Sequence, residues 1–236
     1  MKRRDLCSSL ALGALSALAE DVEAPAPPST YIPQAHRVED RKLLQDFMDE
    51  FAFADLITTA PTLRVTHIPV LLDRAAGDYG TICGHIARQN AQTKAFDGKQ
   101  DALIVFRGPH GYISPTWYQK GPAVPTWNFA VVHATGKLTS ITDPTALRAF
   151  LNHLIQKFET YEGTSFDFSK LPDAYVNGLL PGIVGFTMKI DRLEGKFKLG
   201  QDRSAGDREG ILEHLKTARG ERSLYELTES FYKLRA

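Results

Sequence analysis

The chain has 236 residues with 28 basic and 28 acidic side chains, so it carries no formal net charge and is not a protein drawn to nucleic acid by bulk positive charge. Hydrophobic residues at 43% and charged residues at 24% exclude a disordered chain and supply enough apolar surface for a core. Cys7 and Cys83 are the two cysteines, which excludes a disulfide-built scaffold.

The first segment, M-K-R-R-D-L-C-S-S-L-A-L-G-A-L-S-A-L-A-E-D, has paired arginines, an Ala/Leu-rich run and a small-residue A-L-A. Residues 1–19 read as a twin-arginine-type signal peptide, which implies a periplasmic protein. A frayed amphipathic N-terminus on a cytoplasmic protein is the plainer alternative. Removing the leader takes away three basic residues and one acidic residue, giving a net charge of −2 and leaving Cys83 without an intrachain partner. No later stretch approaches the length of a membrane span. Residues 20–30, with E-A-P-A-P-P-S-T, read as an extended Pro-rich linker, so one domain is expected over 31–236.

Leu43, Leu44, Phe47, Met48 and Phe51 fall at helical spacing and predict a helix over 39–53. Short β-branched and aromatic runs then predict strands near 55–60, 63–71, 79–86, 102–107, 111–118, 127–134 and 136–141. Asp143-Pro144 opens a helix to about Tyr161, with an acidic cap and Pro in the first turn. A short helix near 173–180, a returning strand at 183–194 and helices at 207–218 and 222–235 follow. The pattern is α+β, mainly β: an antiparallel barrel or sandwich with flanking helices.

Seven scattered histidines form no metal-binding spacing, Ser114 lies in Ile-Ser-Pro instead of a nucleophile turn, and Gly108 and Gly111 lack a strand-to-helix setting. If a phosphate binds here, Arg, His and Lys side chains must hold it. In G-H-I-A-R-Q-N-A-Q (84–92), His85, Arg88 and Asn90 offer such donors, although on residue chemistry alone a surface ion pair for Arg88 and a strand end for His85 are the better reading. Trp117, Tyr118 and Trp127 can fill a core or flank a flat ring; the prolines at 109, 115, 122 and 125 favour an irregular rim. Lys196, Lys198, Gln201 and Arg203 suit an anionic ligand or a solvated turn.

Five blocks occur together in order: G-H-I-A-R-Q-N, G-P-H-G-Y-I-S-P-T-W-Y, V-P-T-W-N-F-x-x-V-H-x-x-G, I-V-G-F and G-K-F-K-L-G-Q-D-R. From about Tyr31 to Arg222 the chain resembles the PaiB-like FMN-binding proteins. That resemblance implies an antiparallel split β-barrel, similar to pyridoxamine phosphate oxidases, binding FMN at a homodimer interface. It implies that His85 and Arg88 hold the phosphate, with Asn90 supporting the turn. Trp117, Tyr118, Trp127 and Asn128 then border the isoalloxazine, and Lys198, Gln201 and Arg203 supply donors to flavin or substrate. The family's Lys-Leu-Ser-Gln-Asn-Arg appears here with Gly200 and Asp202, and Asp202 repels phosphate unless Arg203 pairs with it.

Three functions follow from the resemblance taken together with the leader, which the family's members typically lack: an exported flavin-dependent redox protein, a cytoplasmic negative transcriptional regulator, or a haem-handling split barrel. Residues 207–236 hold six basic and six acidic side chains, so the last two helices lack the basic face of a DNA-reading element.

Overall fold

Alternation of apolar and polar residues along three long segments builds the centre of the molecule. The computed structural model describes residues 27–119, 121–217 and 222–234. The signal peptide expected at 1–19 and the linker residues 20–26 lie outside them. Eight strands form one curled antiparallel sheet: β1 (Arg37–Val38), β2 (Phe53–Thr58), β3 (Arg64–Pro69), β4 (Leu71–Asp73), β5 (Thr81–Ala87), β6 (Asp97–Ile113), β7 (Thr126–Ile141) and β8 (Ile183–Lys198). Their order is β3-β2-β6-β7-β8-β5-β4, with β1 added beside β8. This is the expected split barrel.

Even-numbered residues of β7, from Ala130 to Leu138, point inward, and Ile104, Phe106, Phe186 and Met188 meet them in a fully buried core. The pairing of β7 with β8 contains one irregularity: Thr135 faces Arg192 while Gly136 faces Ile190, so Asp191 is the extra residue. This bulge reverses the parity of β8 and lets Gly195 and Phe197 face inward after it. Gly136 is required there, because a Cβ would lie 2.1 Å from the Lys189 carbonyl oxygen.

Two pairs of expected strands are each one strand. Residues 102–107 and 111–118 belong to β6, which continues through a register shift between Arg107 and His110 and ends at Ile113. The strand expected to reach 118 stops sooner because Ser114 accepts the Thr116 N–H and starts a 3-10 turn over Pro115–Trp117. Likewise 127–134 and 136–141 join as β7, and β8 runs four residues past the expected end at 194.

Helices cover the openings. α1 (Arg41–Glu50) is capped by Asp40 and buries Leu44, Phe47 and Met48. Phe47 packs 4.9 Å from Phe197, and Phe197 packs 5.5 Å from Phe231 of α5 (Arg222–Leu234). α2 (Pro144–Glu162) is capped by Asp143 and lays Leu147, Phe150 and Leu154 on the outer side of β5 and β8, against Cys83 and Ile183. α3 (Asp173–Leu179) leads into β8, and α4 (Ala205–Thr217) packs with α5 at the other end.

A polar clasp ties the β5–β6 connection to the β2–β3 hairpin. Gln92, fully buried, donates to the carbonyls of Leu56 and Arg64 at 3.1 and 3.4 Å and accepts from the Thr66 hydroxyl. Asn90 donates to Thr66 at 2.9 Å and accepts from the Gln92 N–H. Buried polar groups left unpaired are costly. Gln92→Leu is therefore expected to destabilise the fold by about 2–4 kcal/mol, read as a lower denaturant midpoint; an unchanged midpoint would contradict the clasp.

Burial also pushes His36, His85 and His133 below the ordinary imidazole value of 6.5. A depressed folded pKa means that the unfolded chain binds protons first as pH falls. Their contribution is present above pH 6.5 and is lost as pH falls through the lowered folded values. Denaturant midpoints should fall below pH 6.5, and replacing His85 by Leu should flatten that decline; a slope unchanged by the substitution would contradict it.

Candidate functional site

The strand register assembles a continuous outer face from residues far apart in sequence. Tyr112 faces Trp127; His110, Phe129 and Lys198 form the next row; Arg107, Val131 and Lys196 the third; Val105, His133 and Glu194 the fourth. Trp127 and Tyr112 are 49% and 47% exposed, large values for rings on a strand. The Trp127 indole donates to Nδ1 of His110 at 3.2 Å, and Tyr112 meets the indole edge-on. One end of the face is thus an aromatic platform.

Cations border it. Lys198 Nζ donates to the Thr126 hydroxyl at 2.5 Å. Lys196 Nζ lies 5.5 Å over Phe129 and 5.7 Å over Tyr31, and donates to the Tyr31 carbonyl. Residues 27–31, expected to be mostly linker, lie along this face: Ser29 donates its N–H and hydroxyl to Glu194, and its hydroxyl is 2.8 Å from His133 Nδ1. Toward β2, Arg107 pairs with Asp55 at 2.9 Å and Asp55 contacts His67.

Arg88 sits elsewhere. Its backbone N–H donates to Gly182, and its guanidinium donates to the carbonyls of Pro181 at 2.5 Å and Ile183 at 2.9 Å. These bonds fix the fork beside a cleft of about 760 Å³ lined also by Ser140, Thr142, Asn177, Leu180 and Val184. That volume suits a cofactor-sized ligand. His85 packs its ring edge-on to Phe150 under α2, and its buried Nδ1 has no hydrogen-bond partner among the described residues.

The remaining expected residues surround the distant end of β8. Trp117 stacks on His214 at 5.2 Å, and the Arg203 guanidinium lies 4.7 Å over Tyr118. Gln201 accepts from the Leu199 N–H and donates to the carbonyls of Ala35 and Phe197. Asn128 is buried, and its Nδ2 has no partner among the described residues. Asp202 lies 3.9 Å from His36, while Arg203 turns to Tyr118. Gly200 has φ +78°, where the family's Ser would be strained.

The structure therefore separates the expected residues into two groups. His85 pairs with Gly185 near the start of β8, whereas Lys198 ends the strand. Twelve residues of strand intervene, on the order of 40 Å of contour. Chemically the groups are complementary: a fixed Arg with hydroxyl and amide neighbours fits a phosphate and polyol, and exposed rings with bordering cations fit an isoalloxazine. The residues lining the Arg88 cleft include no aromatic ring.

Sequence reading missed His110, Tyr112, Ser140, Thr142 and Asn177. Period-two alternation from Trp127 and Lys198 reaches Phe129 and Lys196, but His110 and Tyr112 join them only through register across the β6 bulge. No group of three potential metal ligands occurs among the described residues.

Comparison with known proteins matches residues 30–192 to a family whose model is described as "Putative FMN-binding domain". Protease synthase and sporulation protein PAI 2 of Bacillus subtilis is 33% identical, covering 78% of this chain and 88% of that protein. An uncharacterized protein of Aspergillus fumigatus is 32% identical over 78% of this chain and 89% of its own length. Among solved structures, the FAD and haem binding protein of Mycobacterium smegmatis shares the fold with a TM-score of 0.51 at 16% identity, covering 74% of this chain and 78% of that one. With FMN as the family's cofactor, the chain belongs to the PaiB-like FMN-binding split-barrel family.

Proposed function

We propose that the chain is an exported FMN-dependent redox protein acting as a homodimer, each flavin lying between the Arg88 cleft of one protomer and the Trp127 platform of its partner. The observation that carries this reading is the separation of two complementary half-sites along one strand. A two-fold interface would apply each group to the other twice, giving two equivalent sites. Phe53 and Val65, both exposed and on the outer-face sides of β2 and β3, extend the apolar surface available to such an interface.

Bound FMN supplies electron or hydride transfer at N5. Arg88 would hold the phosphate in a fork already fixed by Pro181 and Ile183, so little side-chain order is lost on binding. Trp127 and Tyr112 would pack on the ring, and Lys198 would favour an anionic reduced ring if it meets the N1–O2 end. His85, with a buried nitrogen lacking a partner among the described residues, would be the reserve donor near Arg88, whereas Asn128 points to the inward side of β7, away from Trp127.

Arg3 and Arg4 with the following apolar run support export, and a route that carries folded proteins would suit a cofactor bound before transport. A second reading is a cytoplasmic regulator of gene expression, which the Bacillus subtilis relative, named for protease synthesis and sporulation, is compatible with. Cell fractionation separates them: a shortened periplasmic chain supports export, and a full-length cytoplasmic chain supports the regulator.

Subunit sharing has a direct test. Arg88→Lys and Trp127→Ala should each weaken FMN binding about 10-fold or more, through loss of the bidentate fork or of ring contact. Mixing the two variants under subunit exchange should restore tight FMN binding to about a quarter of sites, because each mixed dimer regains one intact site. No recovery despite exchange would show that both residues serve one chain's site.

A further inference from the structure

A second pocket of about 570 Å³ lies away from the Arg88 cleft, between the end of α1, the start of β2 and the end of α2. Four rings line it: Phe51, Phe53, Phe158 and Tyr161. Phe53 and Tyr161 are 66% and 69% exposed, so apolar surface remains open to a ligand. Rings on opposing elements favour a flat aromatic guest, by offset or edge contacts, over a flexible aliphatic one.

The charged lining decides which end of such a guest is polar. Asp49 accepts from Arg74 and from Lys157 at 3.1 Å, so Lys157, 28% exposed, is held toward the α1–α2 seam and offers less to a ligand than Arg107. Arg107 uses Nη2 for Asp55, yet its side chain remains 63% exposed and retains further donors. Glu50 occupies the α1 rim and disfavours an anion there. Together they direct a ligand's carboxylate toward Arg107 and its ring toward Phe53 and Tyr161.

We propose that this pocket binds a planar aromatic carboxylate, ring between the four aromatic side chains and carboxylate on Arg107. The site is built from each protomer's own α1, β2, β6 and α2, and because Phe53 and Arg107 also border the face proposed to dimerise, it rests on a dimer that leaves both open. Arg107 is also in the outer-face row of Val131 and Lys196, and this places the pocket mouth beside that surface.

The test is calorimetric titration of the full chain with 2-naphthoate, 2-naphthamide and 2-naphthylmethylammonium, with saturation-transfer NMR to identify contacted protons. Naphthoate should bind, the neutral amide at least about 10-fold more weakly and the cation more weakly still. Arg107→Gln should cost naphthoate about 10-fold or more and leave the amide little changed, and Tyr161→Ala should weaken both. Tyr161 is exposed, so its variant tests the ring contact without disturbing the core. Absence of naphthoate binding, equal binding of the cation, or indifference to both substitutions would overturn the proposal. A pocket filled by a partner copy's side chain would give the first of these results.

Discussion

The antiparallel ladder between β7 and β8 is the constraint on which the rest depends. It runs from Phe129–Lys198 to Ile141–Gly185 and carries different neighbours at its two ends. Beside the first half of β8 lie β5 and α2; beside its last residues lie β1, α1 and α5. The extra residue at Asp191 turns the strand over, so inward-facing apolar residues continue after the bend. Without that reversal the second half of β8 would present Phe197 to solvent and Lys196 and Lys198 to the core.

The same ladder governs the chemistry. Arg88 is anchored to the segment entering β8, and Lys198 closes the strand, so the two stand toward opposite ends of one strand. The outer face between them is not featureless: Arg107, Asp55, His133, Glu194 and the Ser29 segment make a polar band beyond the aromatic rows. A dimer formed on this face would meet alternating polar and apolar rows, which favours one register over others. Charge balance in α4 and α5, together with their packing through Ile211, Leu215, Leu224 and Phe231, suits helices that close the barrel.

Much of the fold was legible because the signals were local. Asp143-Pro144 marked the start of α2, and the apolar spacing of Leu44, Phe47 and Met48 marked α1. Strand boundaries were less legible, since Gly108-Pro109 looks like a break yet is absorbed as a bulge beneath Phe47. Ser114, read against a nucleophile turn, proves to be the cap that ends β6. For the site, the family resemblance offered Arg88, Trp127 and Lys198 as candidate ligand groups but gave no measure of their separation. Asn90 and Gln201 have their amides engaged by the protein itself, and no local pattern distinguishes such an amide from one free to meet a ligand. His110 and Tyr112 depend on pairing partners that sequence spacing does not reveal.

The central claim is that flavin binding and subunit association are one equilibrium. Sedimentation of the holoprotein across a dilution series, followed at flavin and protein wavelengths together, tests it most directly. The account predicts that FMN sediments with the dimer, that dilution releases FMN as monomer appears, and that added FMN shifts the association to lower protein concentration. Flavin that remains on a monomer, with an affinity independent of protein concentration, would contradict it.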